Sequence, residues 1–104
     1  MPVTTIDGHD IHVDDEGFMT VYEEWDEALG KSLATAIGVE MTDESWKAIH
    51  FLRDDFKSES VTATLRRVST VGGMDTKLLF TLFPKKPAKK MAYIAGLPKP
   101  AGCV

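Results

Sequence analysis

The sequence contains a single cysteine, Cys103, among its 104 residues. One cysteine excludes an internal disulfide and is typical of proteins in a reducing compartment. Long apolar runs are also missing, since no stretch approaches the ~20 residues that span a bilayer. The first residues, Met1 to Thr5, have neither a basic region nor an apolar core, so we expect no secretory signal. These absences predict a cytoplasmic protein without a membrane partner.

Residues that bind metals or cofactors are scarce and scattered. The chain has three histidines, which are His9, His12 and His50. They do not cluster at metal-ligand spacing, and the acids at 14–16 lack the pattern of a calcium loop. Gly72-Gly73 lacks the lysine and the preceding strand of a phosphate-binding loop. The sequence therefore predicts no metal site and no cofactor, and it does not favour autonomous catalysis.

Basic residues are scarce in the first part of the chain, and acidic residues are scarce in the second. Residues 1–59 carry fifteen acidic residues and four Lys or Arg, whereas residues 60–104 carry one acid and eight bases. The two parts either attract each other in the fold or leave the basic part for a polyanion or an acidic partner. The densest basic cluster lies beside the C-terminal tail, and its members are Lys85, Lys86, Lys89 and Lys90, with Lys99 further along. This cluster is either a solvated face or a docking surface for RNA or an acidic groove.

The chain length suits one domain, and its N-terminus has the pattern of a β-hairpin. Val3–Ile6 and residues 11–13 flank Asp7-Gly8, a favoured pair for a two-residue turn. A first helix is expected from Thr20, because Thr20 and Glu23 have the spacing of a capping box. Since a lone hairpin is only marginally stable, we expect it to pack on helices.

The remaining elements are predicted to be helical. Apolar residues at helical spacing continue the first helix to Gly38, and Trp25 and Trp46 are predicted to be core anchors. Further helices are expected at 42–57, 60–71, 77–83 and 87–94, and the first of these starts at Thr42, with Asp43 and Glu44 favourable in its first turn. The predicted fold is mainly α, a small bundle of about five helices with an N-terminal hairpin. Residues 1–96 would form one domain, and residues 97–104 would form a flexible C-terminal arm.

The helices at 42–57 and 60–71 are also arranged as in a helix-turn-helix. Arg66 and Arg67 would lie on the second helix of this pair. Two basic residues are few for a DNA reader, and nearby acids would face the same phosphates unfavourably. DNA binding is therefore an alternative in which the thiol is incidental.

Cys103 lies at the tip of the proline-stiffened arm. Pro98 and Pro100 fix an extended backbone, and Gly102 gives the tip freedom to bend. The arm can carry the sulfur about 20 Å from the body, so Cys103 is either a chance cysteine on a frayed end or a group presented to another active site. A free thiol with a pKa of ~8.5 is only a few per cent thiolate at neutral pH. A partner would have to supply the positive surroundings that activate it, which favours a carrier over an enzyme.

Several short segments together resemble the DsrC/TusE family. The tail segments are Leu82-Phe83-Pro84, Pro87-Ala88-Lys89, Ile94 to Pro100, and Gly102-Cys103-Val104. The upstream segments are Asp15 to Phe18, Trp25, Thr42-Asp43-Glu44, Trp46 and Phe51-Leu52-Arg53. The match spans nearly the whole chain, and its tail motif is highly specific.

The resemblance implies a helical protein with an N-terminal hairpin, a winged-helix-like helix pair and a mobile C-terminal arm. It also implies that Cys103 accepts sulfur as a persulfide and hands it on. DsrC-type members carry a second cysteine where this chain has Ala92. Without that second sulfur, this chain acting alone cannot form the intramolecular disulfide of those members. The single-cysteine pattern is similar to TusE-type carriers, although the segment 61–77 is shorter than usual and Thr81 replaces a usual Arg.

The resemblance predicts a sulfur-relay carrier of the sulfurtransferase type, with Cys103 as the persulfide site. Its partners would be a sulfur donor, either a TusBCD/DsrEFH-like complex or a rhodanese-like protein, and an acceptor enzyme such as one of the tRNA 2-thiouridine pathway. Lys85, Lys86, Lys89, Lys90 and Lys99 would form the docking surface of a monomeric protein. The alternative is a single-cysteine regulator that senses sulfur state through Cys103 or binds DNA.

Overall fold

The predicted hairpin is present in the computed structural model, which describes residues 3–100. Strands β1 (Val3–Ile6) and β2 (His9–His12) pair in antiparallel register. Asp7 and Gly8 between them have φ angles of 46° and 82°. Positive φ at both central residues is what a two-residue hairpin turn of the favoured hand requires.

Five α-helices follow within residues 3–100. They are α1 (Glu27–Ala36), α2 (Asp43–Glu59), α3 (Leu65–Thr70), α4 (Thr76–Leu82) and α5 (Pro87–Ile94). The predicted class, a mainly α bundle with an N-terminal hairpin, is confirmed. Among the helices of residues 3–100, none combines the length and the apolar character that a membrane span requires.

The start of α2 and both ends of α5 follow the sequence signals. The Thr42 hydroxyl accepts a hydrogen bond from the Ser45 amide, and the Ser45 hydroxyl accepts one from the Thr42 amide. This reciprocal capping box satisfies two backbone donors at the start of α2. Pro87 occupies the first turn of α5, and Gly96 follows its end with a φ of 68°. That left-handed conformation ends the helix at little cost only for glycine.

The predicted start of the first helix at Thr20 is wrong, because Thr20 is hydrogen-bonded to the hairpin and Glu23 lies in a separate 3-10 turn. The Thr20 amide donates to the carbonyl oxygen of His12. Tyr22–Glu24 forms a 3-10 turn, and the backbone then becomes extended at Trp25. The helix begins only after Asp26, whose carboxylate accepts a hydrogen bond from the amide of Leu29 at 2.8 Å.

The predicted start of the third helix at Ser60 is also wrong. Ser60 has φ 61° and ψ 12°, a left-handed conformation that ends α2. Residues 61–63 connect the two helices, and α3 begins after Thr64, whose hydroxyl accepts a hydrogen bond from the Arg67 amide. The β-branched residues of this segment lower its helix propensity, so α3 is shorter than predicted.

Two apolar clusters form the core. The larger lies among the helices and includes Leu52, Val68, Leu79, Phe83 and Ile94, all fully buried. The smaller lies beneath the hairpin and includes Ile11, Met19, Leu29 and Leu33. Trp25 and Tyr93 are half-buried and pack against both clusters. The hairpin is therefore joined to the bundle at the same place where α5 ends.

Candidate functional site

The predicted sulfur-carrying residue, Cys103, lies outside the described residues, so its role stays a prediction. The structure does describe the segment that leads to it, Leu97 to Pro100, which we call the arm base. The Leu97 side chain is fully buried, and its amide donates to the carbonyl oxygen of Ala92 at 3.0 Å. The Thr62 hydroxyl donates to the carbonyl oxygen of Pro98 at 2.7 Å. Pro100 is buried as well, so the arm base lies against the body.

Two further side chains hold the end of α5, from which the arm base starts. The indole Nε1 of Trp25 donates to the carbonyl oxygen of Ile94 at 2.7 Å. The guanidinium of Arg53 donates to the carbonyl oxygen of Ala95 at 2.8 Å. Helix ends leave carbonyl groups without intrahelical partners, and these donors satisfy two of them. With Thr62, these residues form what we call the arm clamp.

Arg53 is a buried cation that forms no ion pair with a carboxylate among residues 3–100. Its side chain lies 3.9 Å from the ring centroid of Tyr22 and 4.2 Å from that of Trp25, and it also donates to the carbonyl oxygen of Tyr22 at 3.0 Å. Burial lowers the pKa of Arg53, because it disfavours the charged form. The carbonyl dipoles and the two aromatic faces compensate the charge.

The Trp25 ring packs directly on the backbone that follows α5. A Cβ atom at Gly96 would lie 2.5 Å from Cδ1 of Trp25 and 2.9 Å from the sulfur of Met19. Glycine is therefore required at this position for two reasons, its positive φ and the close approach of the indole. The prediction of Trp25 as a core anchor understates its role, since its ring also holds the arm base in place.

Three of the five predicted docking lysines line one cavity of about 410 Å³ between α5, the end of α1 and the loop after the hairpin. We call this cavity the lysine groove. Its lining consists of Lys86, Lys89, Lys90, Glu16, Gly17, Phe18, Ile37 and Tyr93. Lys99 joins its edge, because its ammonium lies 3.2 Å from the Glu16 carboxylate. Lys85 is exposed and does not line the groove.

The floor of the lysine groove is apolar and firmly packed. Phe18 and Tyr93 meet edge to face, with ring centroids 6.1 Å apart and planes at 88°. Burial raises the pKa of Tyr93, so its hydroxyl stays protonated at neutral pH. The groove thus presents cations above a neutral, largely apolar floor.

The helix pair α2–α3 is joined by an ion pair. Arg67 donates to both carboxylate oxygens of Asp55, from Nε at 2.8 Å and from Nη2 at 2.7 Å. Asp55 is buried, and its hydrogen bond with Arg67 raises the pKa of that guanidinium. Of the two cations expected to contact DNA, only Arg66 is exposed, whereas Arg67 is occupied within the protein. This arrangement weakens the argument for a DNA reader.

Two of the histidines lie within hydrogen-bond distance of acids near Trp25. Nδ1 of His12 lies 2.7 Å from the Glu24 carboxylate, and Nε2 of His50 lies 2.8 Å from that of Glu27. Within residues 3–100, no three His, Cys, Asp or Glu side chains are grouped so that they could hold a metal ion.

Sequence reasoning missed the arm clamp. Arg53 gave a signal, because it interrupts the apolar stripe of α2 formed by Ile49, Leu52 and Phe56. A cation at such a position must find partners when the helix packs. Thr62 gave no signal, since its acceptor lies 36 residues further along the chain.

The fold and the site define a small helical protein with a cationic groove beside a clamped C-terminal tail. The family model described as "DsrC like protein" matches residues 5–104, and the chain belongs to this family. Sulfurtransferase TusE of Sodalis glossinidius is 34% identical, with 93% of this chain and 96% of the relative covered.

Solved DsrC structures have the same fold. The Allochromatium vinosum protein has a TM-score of 0.79 at 32% identity, and 98% of this chain and 97% of that one are covered. The oxidised γ-subunit of dissimilatory sulfite reductase (DsrC) from Archaeoglobus fulgidus has a TM-score of 0.74 at 36% identity, with 99% of this chain and 100% of that one covered.

Proposed function

We propose that this protein is a sulfur-relay carrier that accepts sulfur as a persulfide on Cys103 and delivers it to a partner enzyme. The observation that carries the proposal is the placement of the arm base. The chain is held against the body as far as Pro100, and the only cysteine follows three residues later. Membership in a family with relatives named sulfurtransferase supports the same role.

The transfer needs no external oxidant or reductant. The Cys103 thiolate attacks the outer sulfur of a donor persulfide, and a new sulfur–sulfur bond forms. The sulfur–sulfur bond of the donor breaks, and the donor cysteine leaves as a thiolate. Delivery repeats the same exchange, with the acceptor thiolate attacking the outer sulfur carried by Cys103.

The residue at position 92 favours simple transfer over disulfide chemistry. Ala92 is fully buried on α5, and because it is an alanine it offers no second sulfur with which Cys103 could react. Cys103 would therefore exchange sulfur only with thiols of other molecules. This behaviour fits a TusE-like carrier between a donor protein and an acceptor such as a tRNA-thiolating enzyme.

The proposal is tested by loading the purified protein with polysulfide and measuring its intact mass. We expect wild type to gain the mass of one sulfur atom and Cys103→Ser to gain none. Cyanide should then release the added sulfur as thiocyanate, which only an outer persulfide sulfur can form. If wild type takes up no sulfur from polysulfide or from a cysteine desulfurase, the proposed function is wrong.

A further inference from the structure

We propose that the lysine groove binds a segment of the relay partner in which acidic residues flank an apolar side chain. This inference rests on the proposed function, because it names the chemistry of the partner that the arm would serve. It assigns recognition to Lys86, Lys89 and Lys90 for the charges and to Ile37 and Tyr93 for the apolar contact.

The charge of the groove is not balanced within the part of the chain that the structure describes. No ion pair among residues 3–100 involves Lys86, Lys89 or Lys90. Lys86 is the N-cap residue of α5, and Lys89 and Lys90 lie in its first turn, so three like charges are gathered at one helix end. The helix dipole also disfavours cations at this end. Carboxylates of a partner would relieve both effects.

The floor of the groove requires that the bound segment also carries an apolar group. Ile37 and Tyr93 are half-buried and line the cavity, whereas Phe18 is almost completely buried below them. A cavity of about 410 Å³ accommodates one or two side chains. An acidic segment without an apolar residue would leave this surface in contact with water, at a loss of affinity.

The same floor argues against nucleic acid as the ligand. Single-stranded nucleic acids bind by stacking their bases on exposed aromatic faces. Phe18 is only 7% exposed and packs edge to face with Tyr93, so its ring is not available for stacking. Glu16 also lines the groove and would repel a continuous phosphate backbone.

The ion pair between Glu16 and Lys99 connects the groove to the arm. Lys99 lies in the arm base, four positions before Cys103. Since the chain is packed as far as Pro100, the three steps from Pro100 to Cys103 cover at most about 10 Å, so a partner seated in the groove beside Lys99 would lie close to the sulfur. Acidic groups of that partner would compete with Glu16 for Lys99, which links docking to the arm base.

The probe for this proposal is a fluorescein-labelled octapeptide with glutamates on both sides of a Leu-Phe pair. Its binding is measured by fluorescence anisotropy at low salt. We expect the triple variant Lys86→Gln/Lys89→Gln/Lys90→Gln to bind at least about tenfold more weakly, since each exposed ion pair contributes a few-fold. Lys57→Gln, which removes one positive charge on another face of the molecule, should bind like wild type, whereas each single lysine-to-glutamine variant of the groove should bind a few-fold more weakly. Glu16→Gln should bind about two- to fivefold more tightly, because it removes a competing carboxylate.

A second peptide with glycines in place of Leu-Phe tests the apolar contact, and an oligouridine tests nucleic acid. We expect the glycine peptide to bind several-fold more weakly, and the amide NMR signals of Phe18 and Ile37 to shift only with the Leu-Phe peptide. Equal binding of the two peptides, tighter binding of oligouridine, or no saturable binding of the Leu-Phe peptide below about 1 mM would overturn the proposal.

Sulfur loading of wild type from polysulfide is independent of the groove. Loading without peptide binding therefore refutes this inference alone, and peptide binding without loading refutes the proposed function alone.

Discussion

Replacing Arg53 by methionine should destabilise the protein strongly although the fold stays the same. Arg53 is 8% exposed and makes hydrogen bonds of 2.8 and 3.0 Å to the carbonyl oxygens of Ala95 and Tyr22. Methionine fills a similar volume but donates no hydrogen bond. The substitution therefore leaves two carbonyl groups without their donor and removes the cation from the aromatic rings of Tyr22 and Trp25.

The expected magnitude follows from these contacts. A hydrogen bond from a charged donor contributes about 1.5–3 kcal/mol, and the cation–aromatic contacts add about 1–2 kcal/mol. Removing a buried charge returns part of this energy, because the guanidinium no longer has to be desolvated. We expect a net loss of about 3 kcal/mol in the free energy of unfolding, which lowers the melting temperature by about 10–20 °C.

The assay is urea unfolding followed by circular dichroism at pH 7, with the melting temperature as a second measurement. Arg66→Met is the matched control, because Arg66 is exposed and should change stability by less than about 0.5 kcal/mol. Arg53→Lys keeps the charge but loses the fork geometry, so it should fall between wild type and Arg53→Met. If Arg53→Met is as stable as Arg66→Met, the guanidinium does not hold the end of α5.

Three further predictions concern the arm clamp and the hairpin. Gly96→Ala should destabilise by about 3 kcal/mol in urea unfolding, because it adds a clash with the indole ring to backbone strain. Gly38→Ala shares the positive φ without a close neighbour, so it should lose only about 1–2 kcal/mol, and equal losses would contradict the contact. Thr62→Val should lose about 1 kcal/mol and increase the fast motion of the Lys99 amide in NMR relaxation, whereas unchanged motion would show that this hydroxyl does not restrain the arm base. Hydrogen bonds from His12 lower the pKa of Glu24 below its ordinary 4.5, so the resulting stability is present above that pH and lost as pH falls through the lowered pKa. In unfolding measurements between about pH 3 and pH 6, Glu24→Gln should flatten this dependence, and an unchanged slope would refute the assignment.

The fold was predictable where a local signal had no competitor. Asp7-Gly8 needs only its own backbone to make the hairpin turn, and Thr42 caps α2 with a residue three positions away. Thr20 carried an equally good local signal but failed, because its amide bonds to β2 instead. A capping pattern therefore predicts a helix start only where tertiary contacts leave its residues free.

The site was predictable in its charges but not in its clamp. Lys86, Lys89 and Lys90 are close in sequence, and helical spacing brings them to one face. Trp25 and the carbonyl it holds are 69 residues apart, and Arg53 and its carbonyl are 42 residues apart. Such contacts depend on how the helices pack against each other, which a single sequence does not reveal.

The burial of Pro100 limits how far the arm can extend from the body. The backbone is held by Thr62 and packed as far as Pro100, and Cys103 follows three positions later, a step that a fully extended chain covers in about 10 Å. Under the proposed function, a partner thiol must come within this radius, and a cysteine recessed more deeply can be reached only if the arm base leaves the body. Such a short tether would also confine a sulfur carried on Cys103 to a small volume, where its effective concentration toward a docked thiol would be high. The proposed carrier would thereby select partners by the depth of their reacting cysteine, in addition to the surface that they present.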